Sequence, residues 1–152
     1  MSTTTFTVTV VSTGGGNKYF IDGVQQATVN LAANATYKFD QSDSSNGLGV
    51  GHPLLLSTTS DGTHSGGSVY NTGVTINGTP GNAGAYTEIV VAADAPNLYY
   101  FCQYHPNMGG SALVTDDSWG ALSWNANSWG NQDEVTTSLT GLSATSSVGA
   151  PT

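Results

Sequence analysis

At 152 residues, with one cysteine and a formal charge of −8, the chain has room for one ordinary domain plus an appendage and none for an internal disulfide. Arginine is absent, and Lys18 and Lys38 are the only basic side chains besides three histidines. Nucleic acid and anionic membrane surfaces are held mainly by Lys and Arg, so both are excluded as direct partners, and a charged partner should be basic. Residue usage is rich in Thr, Ser, Gly, Asn and Val and poor in strong helix formers, which makes an all-β fold the expectation.

The first five residues carry no charged side chain and lead directly into the alternating Phe6-Thr7-Val8-Thr9-Val10. No apolar run of signal-peptide or membrane-span length occurs, so the expectation is a protein made without a leader. A leader removed ahead of Met1 is the alternative and would imply a periplasmic or secreted protein.

Strand signals recur along the chain with turn residues between them. The first covers residues 6–11 and ends at Gly14-Gly15-Gly16-Asn17. The second, 19–21, meets Asp22-Gly23, a dipeptide suited to a tight hairpin. Strands over 27–31 and 36–39 follow, separated by Asn34. Residues 41–49 read as polar loop, and 50–56 as a strand carrying His52 near its start. Residues 57–80 are Gly-rich and weakly patterned, a long surface excursion that includes His64 as a loop residue. Three further strands are expected at 85–91, 98–102 and 111–115, with Asp94-Ala95-Pro96 as the breaker between the first two. About eight short strands suffice for two packed sheets, and no segment reads as a helix of three turns.

Chemistry concentrates in Tyr99-Tyr100-Phe101-Cys102-Gln103-Tyr104-His105-Pro106-Asn107-Met108-Gly109-Gly110. It holds the only cysteine, the only methionine besides Met1, and one of the three histidines. Taken singly, Cys102 reads as a small buried hydrophobe and His105 as a surface histidine. Taken together, a thiolate, an imidazole and a thioether are the soft and borderline donors that copper prefers. A loop leaving the end of a strand can aim all three at one point, and Gly109 and Gly110 let the backbone turn away sharply. His52, between Gly51 and Pro53, is the natural fourth donor. Two imidazoles and one thiolate in a plane with a weak axial thioether make the blue-copper arrangement.

These residues resemble the cupredoxins over roughly 5–115, and the Cys-x2-His-x2-Met spacing with Pro106 looks most like the short ligand loop of amicyanin. The resemblance implies a Greek-key β-sandwich that binds one type 1 copper ion, Cu(I) or Cu(II), through His52, Cys102, His105 and Met108. It also implies an asparagine after the first histidine whose backbone N–H points at the cysteine sulfur. Pro53 stands there instead and has no N–H, so a low reduction potential for such a centre is expected.

Beyond Thr115 the composition shifts. Trp119, Trp124 and Trp129 are the three tryptophans of the chain, followed by a Ser/Thr/Gly-rich tail. This stretch resembles repeats at the ends of structural proteins of marine cyanophages. Residues 117–152 are therefore expected to be an extension that makes an assembly contact with other virion proteins or with copies of itself.

No serine nucleophile elbow, phosphate loop or zinc motif is present, and a Cys-His pair three apart on a loop closed by methionine suits coordination better than proton transfer. The expected function is copper binding without enzymatic activity, in a virion structural component. The alternative is a soluble one-electron carrier with a redox partner.

Overall fold

The structure is a computed structural model that describes residues 3–115. The extension expected over 117–152 lies outside the described residues. Ten strands form two sheets. They are β1 (Thr3–Thr13), β2 (Gly16–Ile21), β3 (Val24–Gln25), β4 (Val29–Ala32), β5 (Thr36–Asp40), β6 (Leu54–Ser57), β7 (Val74–Asn77), β8 (Tyr86–Val90), β9 (Leu98–Cys102) and β10 (Gly110–Thr115). One sheet has the order β3-β2-β1-β5-β8-β7 and the other β4-β10-β9-β6.

Long β1 organises the first sheet. Its first half runs parallel to β5, from Thr3 opposite Thr36 to Thr7 opposite Asp40. Its second half pairs antiparallel with β2, from Val8 opposite Ile21. Asp22 and Gly23 join β2 to β3 with φ of 50° and 84°, the double left-handed conformation that such a dipeptide favours. The chain then crosses between sheets five times, from β3 to β4, from β4 to β5, from β5 to β6, from β6 to β7 and from β8 to β9, which yields the expected all-β Greek-key sandwich. Alternate residues of both inner faces, among them Val8, Tyr19, Phe39, Leu54, Leu56, Ile89, Leu98 and Tyr100, make one buried core.

Two of the ten strands are additions to the expected set, and one expected strand is shorter. β3 has two exposed residues and β7 is an edge strand with three of four exposed, so neither carries an apolar alternation. The expected strand at 50–56 begins only at Leu54. Gly49 and Gly51 take positive φ, and Pro53 cannot donate to a ladder, so the chain before Leu54 is irregular. The excursion at 57–80 is more ordered than its composition conveys: it contains a 3-10 turn at Gly62–Ser65, a bridge from Ser57 to Val69, and β7. Among the described residues no helix is long and apolar enough to cross a membrane.

Candidate metal centre

β6 and β9 set the site. They pair antiparallel with Leu54 opposite Cys102, so His52, two residues ahead of Leu54, and the loop after Cys102 arrive at the same end of the sandwich. Cys102 is the last residue of β9 and fully buried; His105 lies three residues on and is half-buried.

The donor atoms converge. His52 Nδ1 and His105 Nδ1 are 3.2 Å apart, and Cys102 Sγ lies 3.7 Å from the first and 3.5 Å from the second. A point equidistant from these three atoms is about 2 Å from each, the length of a metal–imidazole bond and slightly under a metal–thiolate bond. Two ring nitrogens that face each other across 3.2 Å cannot both direct an N–H into the gap, so a cation suits the space better than a proton on each ring. Burial, and then repulsion from His105, holds the His52 pKa below the ordinary histidine value. Its imidazole is thus kept neutral, the form that coordinates a metal. A nitrogen–nitrogen–sulfur triangle is the donor set of a blue copper centre, and it fits a single copper ion.

The structure therefore brings together His52, Cys102 and His105. Met108 is buried in the same core cluster as Cys102, and its carbonyl accepts the Tyr19 N–H at 2.9 Å. Among the described residues His64 stands outside the donor group; its Nε2 instead meets the Cys102 carbonyl at 2.8 Å.

Sequence reasoning missed the buried polar frame behind His52. The His52 carbonyl accepts from Tyr19 Oη at 2.6 Å and from Gln41 Nε2 at 2.7 Å, while the His52 N–H donates to the Asn46 carbonyl at 2.8 Å. Gln41 Nε2 also donates to Asn46 Oδ1, and Asn46 Nδ2 reaches the Val8 carbonyl at 2.8 Å. Gln41 Oε1 accepts the Leu54 N–H at 2.9 Å. The N–H and the carbonyl of His52 are thereby both paired, which anchors the main chain that carries the imidazole. Burial and the neighbouring thiol raise the Tyr19 pKa well above the ordinary phenol value, so it stays a donor.

The ligand loop is held from outside as well. Lys18 Nζ donates to the Asn107 carbonyl at 2.7 Å, and Gln26 Nε2 donates to the Gly109 carbonyl at 2.9 Å. Asn107 itself takes φ of 64°, within the range an asparagine tolerates.

No protein-family model matches the chain, and no curated protein does. Among solved structures, reduced rusticyanin is similar at 15% identity and a TM-score of 0.46, over 76% of this chain and 81% of that one. A second structure, of rusticyanin described as a copper protein, has 14% identity and a TM-score of 0.46 over 76% of this chain and 79% of the other. Rusticyanin from Thiobacillus ferrooxidans is similar at 14% identity and a TM-score of 0.41, with the same coverage.

Proposed function

We propose that the chain is a type 1 copper protein of the cupredoxin kind, which holds one ion through His52, Cys102, His105 and Met108 and acts as a one-electron carrier. The observation that carries this reading is the triangle of His52 Nδ1, His105 Nδ1 and Cys102 Sγ, with sides of 3.2 to 3.7 Å. Copper, when bound, supplies one-electron exchange between Cu(I) and Cu(II). The protein's residues keep the site dry and fixed: His52, Cys102 and Met108 are buried and only His105 reaches towards solvent. That makes the His105 ring the route for an electron to leave. The three-residue spacings from Cys102 to His105 to Met108 favour the amicyanin-like form of the loop.

Addition of Cu(II) to the metal-free protein should produce an intense blue or green thiolate charge-transfer band. Cys102→Ser should abolish it, while Met108→Leu should keep a shifted band. A colourless wild-type protein with only weak, Cys102-independent copper uptake would remove the reading.

A virion setting, with assembly through residues 117–152, is proposed on the composition of that stretch alone; copper would there serve to stabilise the fold. Deletion of residues 118–152 should then abolish self-association and leave the copper band intact. Unchanged assembly of the truncated chain would leave the carrier as the sole reading.

A further inference from the structure

The excursion between β6 and β7 contributes no donor to the metal centre, yet it touches the ligand loop at both ends. His64 Nε2 lies 2.8 Å from the Cys102 carbonyl. A carbonyl only accepts, so this nitrogen carries the hydrogen. Three residues earlier on the same turn, Asp61 Oδ1 accepts the Asn107 N–H at 2.9 Å. The two ties bracket His105.

The Cys102 carbonyl takes its donor from His64 for a reason visible in the ladder. Leu54 stands opposite Cys102 in a pair that is not hydrogen-bonded, so its N–H points away from β9, to Gln41 Oε1, and gives the Cys102 carbonyl no donor. The next rung, Gln103 N–H to the Pro53 carbonyl at 3.0 Å, involves other atoms. A buried strand end with an unpaired carbonyl is costly, and the imidazole of His64 meets that need.

The turn is seated by shape as well as by polar contacts. Gly62 lies on the Phe101 ring so closely that an added Cβ would come within 2.5 Å of ring carbons, and its φ of +54° also favours glycine. His64 stands edge-on to the same ring, with centroids 6.1 Å apart and planes at 85°. The base of the excursion is fastened to β6, where the Tyr70 N–H donates to the Leu56 carbonyl at 2.6 Å and Ser57 Oγ donates to the Ser68 carbonyl at 2.7 Å. The excursion thus connects the strand that follows His52 with the loop that carries His105.

We infer that the turn around residues 61–64 is a strap across the ligand loop, and that His64 is a positioning residue for Cys102 in the metal centre. This inference rests on the copper reading for its consequence but not for its geometry. Without the imidazole, the peptide unit between Cys102 and Gln103 is held on one side only, by the Gln103 N–H, and the thiolate's bearing on the two imidazoles is loosened.

The test compares full-length wild type with His64→Ala, His64→Gln and Asp61→Ala. Cu(II) affinity is measured by competition with a chelator, and the thiolate charge-transfer band is recorded for each. His64→Ala should bind copper at least about tenfold more weakly and shift the band, since partners that orient a ligand typically matter by that factor. His64→Gln, whose amide can donate to the same carbonyl, should recover most of both. In the metal-free protein, Asp61→Ala should speed hydrogen exchange of the Asn107 amide severalfold. A band and an affinity in His64→Ala identical to wild type overturn the inference. Should His64→Ala not fold, an unchanged Asn107 exchange rate in Asp61→Ala overturns it instead. Absence of any copper band in wild type removes the copper reading, and the Asn107 exchange experiment still decides whether the strap exists.

Discussion

The Tyr19 hydroxyl donates to the carbonyl of His52 across 2.6 Å, joining β2 to the irregular segment ahead of β6 directly behind an imidazole of the donor triangle. Gln41 donates to the same oxygen and also accepts the Leu54 N–H. The two side chains therefore differ in what their loss exposes. Tyr19→Phe leaves the His52 carbonyl paired with Gln41 and should cost about 1 kcal/mol in urea unfolding. Gln41→Leu strands the Leu54 N–H and weakens two acceptors together, and should cost roughly 3 kcal/mol. Equal costs would show that the two donors do not share one network.

Metal uptake should appear as stability. A ligand that binds only the native state adds about 2.7 kcal/mol when its free concentration is a hundred times Kd. Wild type should gain this on copper addition in a thermal melt, whereas Cys102→Ser should melt at the same temperature with and without the ion. A copper-dependent melting shift that survives in Cys102→Ser would place the binding elsewhere.

Pro53 sits beside the sulfur's strand end, and its carbonyl accepts the Gln103 N–H. With no N–H of its own it cannot donate to Cys102 Sγ, so the thiolate keeps more of its charge and Cu(II) is favoured. Pro53→Asn supplies that donor. The reduction potential should rise by roughly 60 mV, equivalent to a tenfold change for one electron. A fall in potential, or none, measured by voltammetry would exclude this account.

Acid sensitivity should have an identifiable component at Asp43. Hydrogen bonds from the hydroxyl and the N–H of Ser45 lower its carboxyl pKa below the ordinary value of 3.8. Ser45 Oγ in turn accepts the Val10 N–H at 2.9 Å, tying the 3-10 turn at Ser44–Gly47 to β1. Because the folded pKa is the lower one, the unfolded chain takes up the proton first. The contribution is complete above 3.8 and is lost as pH falls through the folded value. Asp43→Asn should melt lower than wild type at neutral pH, and the gap should close on acidification. A gap that stays constant with pH would mean that the carboxylate charge plays no part.

The sequence conveyed those parts of the molecule that repeat with a period or carry unusual donors. The tight turn after β2 was readable because Asp22-Gly23 is a conformational requirement, although the two-residue β3 beyond it was not, and β9 because 98–102 is an uninterrupted apolar run. The donors stood out because Cys102 and Met108 have almost no counterparts in the chain. β7 escaped notice because an edge strand with three of four residues exposed needs no alternation. Gln41 and Asn46 looked like loop residues, yet both are buried. Their partners come from Val8, His52 and Leu54, positions that only the crossing of the sheets brings near. His64 was hidden for the same reason: nothing local distinguishes a loop histidine that will meet a carbonyl 38 positions away.

The pairing of Leu54 with Cys102 also makes the centre a reporter of how the chain has folded. Side chains alternate between faces along a strand, so a slip of one residue between β6 and β9 would send the thiol to the opposite face. A molecule so mispaired has its sulfur turned away from both rings and cannot become coloured. The growth of colour during refolding in the presence of copper would therefore count only those molecules in which β6 has aligned correctly on β9.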